Sequence, residues 1–247
     1  MDNFIKALSK TATFILAFFA AAYFYFSYKG FVIEPNGNIV LKTQTAVAAE
    51  KNGMATVLSK NIHLNASEKF AIGSINAPLT LYEFSSLGCP HCADFHLQVI
   101  PKLEETYVKQ GLLRIVFVNF PLDKKSMQAA LLLQCSSPDN YHAFLSRLFD
   151  KQRFWYLASD VTPLRTYAAE FGISYDEAEA CLHDDEMAQS IVSDRQQGLK
   201  QLNMQGTPAL LFSGRDGNEI IYSAASFNSI KQYLNTRYSQ LGVSVFE

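Results

Sequence analysis

A pair of cysteines stands where an apolar segment of the sequence gives way to a helical one. Residues 77–86, APLTLYEFSS, are rich in β-branched and aromatic side chains, which is typical of a buried strand. Cys89 and Cys92 follow at once, and the sequence after them predicts a helix over about His91–Lys109. The next apolar segment, LLRIVFVNF, predicts a second strand. A strand, a helix and a strand in this order predict a parallel crossover unit.

The rest of the globular sequence completes this frame around a block of helices. Residues 123–203 carry no strand signal and divide into several helices at breaks such as Ser137–Pro138 and Gly172. The segments ALLF and IIYSA, joined by the turn GRDGNE, predict a β-hairpin, and an amphipathic helix follows from about Phe227. The sequence therefore predicts an α/β domain made of residues 70–122 and 204–247, with residues 123–203 as an inserted helical domain.

Residues 1–29 predict export from the cytoplasm. An uncharged run extends from Thr11 to Tyr28, and as a helix it would span about 27 Å, near the minimum for a bilayer core. Two interpretations stay open: an uncleaved membrane anchor, or a signal peptide cleaved near Ala20–Ala22. Under either one, the four cysteines of the chain enter an oxidising compartment, where they can form disulfides.

Residues 30–69 form a polar segment between this helix and the globular part. Ile39–Leu41 predicts a short strand, and a helix is expected over about Thr45–Ser59. Two interpretations stay open here as well. The segment is either a solvated linker or an oligomerisation stalk whose apolar side needs partner chains, because a lone short helix is marginal in water.

The cysteine pair has two chemical interpretations, a metal site and a redox-active disulfide. Structural zinc takes four ligands, commonly two C-x-x-C pairs or one pair with two closely spaced histidines. This chain has one such pair, and Cys89, Cys92 and His96 would still lack a fourth ligand. The redox interpretation fits better, and we predict that the site holds no metal.

Each residue of the CPHC motif has a role in the redox interpretation. At a helix N-terminus, unpaired N–H groups and the helix dipole favour the thiolate of Cys89. Pro90 suits the first helical turn, where its missing N–H has no intrahelical partner to lose. His91 can contribute a charge or a hydrogen bond to the same sulfur. Cys92, one turn further along, is expected to be less exposed and to act as the resolving thiol.

With these motifs the sequence resembles the bacterial DsbA-like thiol–disulfide oxidoreductases. The resemblance covers about residues 70–240 and rests on CPHC, on APLTLYEFSS before it, on the position of the helical block, and on GTPALLF at residues 206–212. It implies a thioredoxin fold with an inserted helical domain.

The resemblance also assigns roles to residues distant from the motif. Thr207–Pro208 would contain a cis peptide bond that faces the cysteine pair and docks the substrate chain. Glu83 would lie beneath the site and relay protons to Cys92.

Two further features are compared through the same family. Some members carry a second, structural disulfide in the helical block, which here would join Cys135 to Cys181; two separately buried free cysteines are the alternative. His96 stands where the best-known members carry an acid. It would favour the thiolate of the active cysteine or would be a surface histidine, and its role stays open.

The predicted function is thiol–disulfide exchange with unfolded or misoxidised secreted proteins, without a cofactor. The predicted location is the periplasm, with the protein either tethered to the inner membrane or released after signal cleavage. A membrane redox partner is expected to reset the cysteine pair. The net charge of −2, without a basic block, gives no indication of nucleic-acid binding.

The oligomeric state of the protein affects whether it acts mainly as a disulfide oxidase or as an isomerase. The long N-terminal region resembles that of oligomeric, often trimeric, relatives with isomerase activity, which favours a homo-oligomer formed through residues 30–68. The alternatives are a monomeric disulfide oxidase reset by a membrane partner, and a non-enzymatic chaperone or metal carrier.

Overall fold

The computed structural model describes residues 70–204, 206–221 and 225–244, and the backbone of three short strands before them. The chain divides into two compact units, Met1–Ala48 and Ala49–Glu247. In the first unit, β1 (Phe31–Ile33) pairs antiparallel with β2 (Ile39–Leu41). The strand predicted at Ile39–Leu41 is confirmed, and its partner β1 was not predicted.

The predicted membrane-spanning run, residues 11–28, lies outside the described residues. Within the described part of the chain, no helix has both the length and the apolar character that a bilayer crossing requires.

The second unit is built on a five-stranded sheet with the order β3-β7-β6-β4-β5. β4 and β5 run parallel, as the crossover predicts, and the other neighbours run antiparallel. The predicted order of strands and helices around the helical block is therefore confirmed. The strands are β3 (Thr56–Leu58), β4 (Leu79–Ser85), β5 (Leu113–Asn119), β6 (Ala209–Gly214) and β7 (Gly217–Ile221).

The helix predicted over Thr45–Ser59 is wrong at its C-terminal end. Thr56–Leu58 form β3, which pairs antiparallel with β7, with Thr56 opposite Ile220. A three-residue segment of this kind gains more from pairing with an open sheet edge than from its weak helix propensity. The remainder of that predicted helix lies outside the described residues.

The helix that follows the cysteine pair is shorter than predicted. α1 (Pro90–Gln98) ends at Val99, α2 (Ile100–Leu103) follows, and Glu104–Val108 continue as a π-helix. Pro101 has no N–H to donate to the preceding turn, which accounts for the interruption. The effect is to confine the regular helix behind Cys89 to its first nine residues.

Six helices lie between β5 and β6, and no strand occurs in residues 123–203. Several begin at residues that the sequence marks as helix starts: Asp123 and Ser174 form capping boxes, and Ser137 precedes a proline. The six helices are α3 (Lys124–Gln134), α4 (Pro138–Asp150), α5 (Gln152–Leu157), α6 (Thr162–Glu170), α7 (Tyr175–Leu182) and α8 (Asp185–Leu202).

Side chains on both faces of the sheet are buried. On one face, Leu81 and Phe212 pack with Phe95 of α1 and with Leu234 of α9 (Phe227–Leu241). On the other face, Phe84 and Val118 pack with Leu202 of α8. Each fully buried side chain of this size contributes roughly 1.5–3 kcal/mol. The end of β4, which leads into the turn and helix of the cysteine pair, is therefore fixed from both sides.

Candidate active site

Cys89 lies at the junction between the turn after β4 and the first turn of α1. Its backbone is extended, with φ −88° and ψ 121°, and Pro90 is the first helical residue. The N-cap position has no side-chain hydrogen bond, so the first N–H groups of α1 remain directed at the cysteine. Pro90 and the His91 side chain are exposed, whereas Cys92 is fully buried.

The segment before β6 supplies the second wall of the site. The Thr207–Pro208 peptide bond is cis, the form that the resemblance implied. The Cys89 thiol donates a hydrogen bond to the Thr207 carbonyl oxygen, with Sγ and O 3.5 Å apart. Residues separated by 118 positions in the sequence thus meet at one sulfur.

The surroundings of Cys89 favour its thiolate. A hydrogen bond from the Cys92 thiol is the largest cause and lowers the pKa of Cys89 to about 5, although partial burial opposes the change. The side chain of Thr207 and the backbone N–H groups of Cys92 and His91 lower this pKa further. At neutral pH the reduced protein therefore carries a nucleophilic sulfur at its surface.

Cys92 has the opposite character. Burial raises the pKa of its thiol far above the usual range, and the nearby Cys89 sulfur raises it further. The side chains of Ser85 and Thr207 act in the other direction. Both cysteines are free thiols in the structure, so the pair is in its reduced form. The two sulfurs are thus chemically different although they belong to one motif.

Two residues that contact the pair were missed by the sequence analysis. Ser85, at the end of β4, lies beside the Cys92 thiol, whose pKa it acts to lower against the effect of burial, and strand alternation places it on the same face as Glu83. Gln152, at the start of α5, donates hydrogen bonds to the carbonyl oxygens of Leu87 and Cys89. Alternation from Glu83 could have indicated Ser85. Gln152 is 63 residues from Cys89, and no motif marks it.

Glu83 and His96 form a buried pair. They are 1% and 6% exposed, and Glu83 Oε2 lies 3.7 Å from His96 Nδ1. His96 Nε2 is 3.3 Å from the hydroxyl oxygen of Ser146, and the imidazole ring packs on Phe149. The surface-histidine alternative for His96 is therefore wrong.

Cys135 and Cys181 form a disulfide, the pairing that the resemblance implied. It joins the C-terminal end of α3 to α7, across a separation of 46 residues. A disulfide closing a loop of this length stabilises the folded chain by up to about 4 kcal/mol in the chain-entropy model. It belongs to the helical block and does not contribute a sulfur to the CPHC pair.

Cys89, Cys92 and His96 do not form a metal-binding group. Among the residues that the structure describes, no three Cys, His, Asp or Glu side chains are arranged so that they could hold a metal ion.

The geometry agrees with comparisons with known proteins. A family model described as thioredoxin matches residues 65–234, more than half of the chain. The chain is a member of the thioredoxin family. This thioredoxin-family chain is 25% identical over 174 residues to a Rickettsia typhi protein provisionally named a protein-disulfide oxidoreductase, with 70% of the chain and 63% of that protein covered. It is 24% identical over 169 residues to the disulfide bond formation protein D of Bacillus subtilis, covering 65% and 73%.

Solved structures give the same result for the thioredoxin-family fold. The crystal structure of Wolbachia pipientis alpha-DsbA1 matches with a TM-score of 0.63 and 26% identity, over 69% of this chain and 91% of that one. Oxidised BdbD from Bacillus subtilis matches with a TM-score of 0.58 and 26% identity, over 69% and 94%. The resemblance to DsbA-like proteins, and the thioredoxin-like fold with inserted helices, are confirmed.

The thioredoxin-family match does not span the whole of every relative. The chain covers 63%, 56% and 53% of the lengths of three rickettsial relatives. Parts of those proteins therefore have no counterpart in the matched segment.

Proposed function

We propose that this protein catalyses thiol–disulfide exchange with unfolded exported proteins through Cys89 and Cys92. The observation that carries the proposal is the asymmetry of the pair. Cys89 is half-buried and has a pKa of about 5, whereas Cys92 is buried and has a raised pKa. A thiolate that is stable in the reduced protein makes the corresponding disulfide a strong oxidant.

The reaction begins with the oxidised protein. A client thiolate attacks Cys89 Sγ, the Cys89–Cys92 bond breaks, and Cys92 leaves as a thiolate that takes up a proton. A second client thiolate then attacks the client sulfur of the mixed disulfide, and Cys89 leaves as a stabilised thiolate. The client loses two electrons and gains a disulfide, and the cysteine pair is reduced. A disulfide-bearing or quinone-linked membrane partner is expected to reoxidise it.

Glu83 is proposed as the group that exchanges this proton with Cys92. It lies on the same face of β4 as Ser85, whose side chain acts on the pKa of the Cys92 thiol. Glu83 Oε1 is buried and has no hydrogen-bond partner among the described residues. A buried carboxyl group on this face of β4 is suited to exchange a proton with the Cys92 thiol. Replacing Glu83 by Gln should slow the resolution of mixed disulfides and leave the Cys89 pKa almost unchanged.

The client is proposed to be an unfolded chain, because apolar side chains are exposed near the site. α5 contacts the turn formed by residues 86–89, the cysteine turn, through Gln152. Two apolar side chains of α5, Phe154 and Leu157, are 69% and 71% exposed. Leu122, which follows β5, is 51% exposed. Apolar side chains of an unfolded client can be buried here while the Thr207–Pro208 edge faces its backbone.

Several wider features of the protein are proposed on the sequence alone. They are location in the periplasm, division into the domains given above, and a homo-oligomer formed through residues 30–68. An oligomer presents several cysteine pairs to one client and favours isomerisation, in which the reduced Cys89 attacks a wrong disulfide.

The test uses the full-length protein and its Cys89→Ser variant. Each is incubated with a reduced client and, separately, with a scrambled, disulfide-rich client, while recovery of client activity is followed and mass is read by light scattering. We expect exchange with the wild type and none with the variant. A variant that assists folding as well as the wild type would establish a chaperone instead. Unscrambling by an oligomer would identify an isomerase, and oxidation without unscrambling by a monomer would identify an oxidase.

A further inference from the structure

Gln152 connects the helical block to the cysteine turn through two hydrogen bonds. Its side-chain Nε2 donates to the carbonyl oxygen of Leu87 at 2.7 Å and to that of Cys89 at 3.0 Å. Gln152 is 7% exposed and Leu87 is 1% exposed, so water has little access to these bonds. The Cys89 carbonyl oxygen also accepts from the N–H groups of Cys92 and Ala93, both at 3.1 Å. The buried Leu87 carbonyl would be left without the Gln152 donor, at a cost of about 1–3 kcal/mol.

Gln152 acts on this turn together with local contacts. Within it, the Cys89 N–H donates to the Ser86 carbonyl oxygen at 3.0 Å, and no side chain caps α1. α5 also packs directly against the turn at Gly88, where an added Cβ would lie 2.8 Å from a ring carbon of Tyr156. A side chain from another part of the chain thus adds two hydrogen bonds to the hold on this turn.

The helix that contains Gln152, α5, is held in place by hydrogen bonds to neighbouring helices. The Lys125 ammonium group donates hydrogen bonds to the carbonyl oxygens of Tyr156 and Ala158 at the end of α5, both at 2.6 Å. The Tyr156 hydroxyl donates to Asp123 at 2.9 Å, and the Trp155 indole N–H donates to the Leu148 carbonyl oxygen at 2.7 Å. The position of α5, and with it the amide of Gln152, is therefore set by α3 and α4.

We propose that Gln152 is a positioning residue that holds the Cys89 sulfur against its hydrogen-bond donors and thereby sets the reactivity of the cysteine pair. The carbonyl group and the sulfur of Cys89 are attached to one residue, so a rotation of the turn moves both. The donors are the Cys92 thiol and the backbone N–H groups of His91 and Cys92, and the Thr207 carbonyl oxygen lies 3.5 Å from the sulfur. A small rotation of the turn would move the Cys89 sulfur away from these donors. This inference rests on the proposed exchange function of the same site.

The principal test replaces Gln152 by Met in the full-length protein. Methionine keeps most of the buried volume and has no donor. Gln189→Met, at an exposed position of α8, is the matched control because it makes the same chemical change away from the site. Thermal unfolding is recorded for each variant, so that a loss of stability can be separated from an effect on the sulfur.

The expected result is a loss of thiolate stabilisation. In Gln152→Met the pKa of Cys89, read from the pH dependence of its alkylation, should rise by about one unit, which means about tenfold less thiolate at pH values below the pKa. The equilibrium constant for reduction of the pair by glutathione should fall by a similar factor. Gln189→Met should match the wild type in both measurements.

A purely structural role predicts a different pattern. If Gln152→Met lowers thermal stability but leaves the Cys89 pKa and the glutathione equilibrium at their wild-type values, the inference is overturned. If the wild type itself exchanges no disulfides with a client, the proposed function fails, and the pKa comparison still reports on the positioning by Gln152. The two failures are therefore distinguishable.

Discussion

The hydrogen bond between the two active-site sulfurs makes a prediction that can be measured on a single thiol. The Cys92 thiol is the largest cause of the lowered pKa of Cys89, about 5 against an ordinary value of 9. Replacing Cys92 by Ala removes this donor. Replacing it by Ser leaves a hydroxyl donor at nearly the same place. In both variants Cys89 is the only titrating cysteine of the motif, because Cys135 and Cys181 are joined in a disulfide.

The magnitude follows from the strength of a hydrogen bond to a charged acceptor, about 1.5–3 kcal/mol, or about one to two pKa units. Cys89 is only half-buried, and screening by solvent favours the lower end of this range. We therefore expect the pKa of Cys89 to rise by about one unit in Cys92→Ala and by less in Cys92→Ser.

The assay is the rate of Cys89 alkylation by iodoacetamide as a function of pH, supported by the far-ultraviolet absorbance of the thiolate. Two results would refute the reasoning. In one, Cys92→Ala still titrates near the wild-type value, so the hydrogen bond does not stabilise the thiolate. In the other, the Ala and Ser variants shift equally, so the effect comes from packing rather than from the donor.

Three further predictions concern stability. The depressed pKa of Cys89 stabilises the reduced fold fully above the ordinary thiol value near 9, and this contribution is lost as the pH falls through about 5. The melting temperature of the reduced protein, relative to that of the oxidised protein, should therefore fall between pH 8 and pH 5. A difference that stays constant over this range would contradict the prediction. Replacing both Cys135 and Cys181 by Ala should lower the free energy of unfolding in urea by about 2–4 kcal/mol while client oxidation continues, whereas loss of oxidation would give this disulfide a redox role. Arg237, 2% exposed and paired with Asp216 and Glu219, joins α9 to the β6–β7 hairpin. Arg237→Ala should cost about 3 kcal/mol of unfolding free energy and Arg237→Lys less, and equal losses would argue against the ion pairs.

The parts of the fold that the sequence predicts are those with a strong local signal. β4, β5 and the breaks between the helices follow from apolar runs and from proline, serine and glycine punctuation. β3 was misread as helix because three residues carry little propensity, and their pairing with β7 decides their structure. The end of α1 at Val99, by contrast, follows from a local feature, because Pro101 has no N–H to donate to the preceding turn.

The residues of the candidate site also fall into those that a local sequence motif predicts and those that it does not. Cys89, Cys92 and the Thr207–Pro208 segment could be predicted because each belongs to a motif of adjacent residues. The contacts of Gln152 could not be predicted, because its partners lie more than sixty residues away and any glutamine in a helix looks the same in the sequence. The burial of His96 against Glu83 depends on the packing of α4, which the sequence does not specify.

Under the proposed function, Cys89 is the sulfur that forms the mixed disulfide with the client in either direction of the exchange, and Cys92 is the thiol that resolves it. The most direct measurement incubates full-length Cys92→Ala with a disulfide-containing unfolded client, quenches the mixture with acid, and locates the cross-linked residue by mass spectrometry. The proposed function predicts a stable mixed disulfide at Cys89 that does not accumulate with the wild type, because Cys92 releases the client. A client attached only at Cys135 or Cys181, or no mixed disulfide at all, would contradict it.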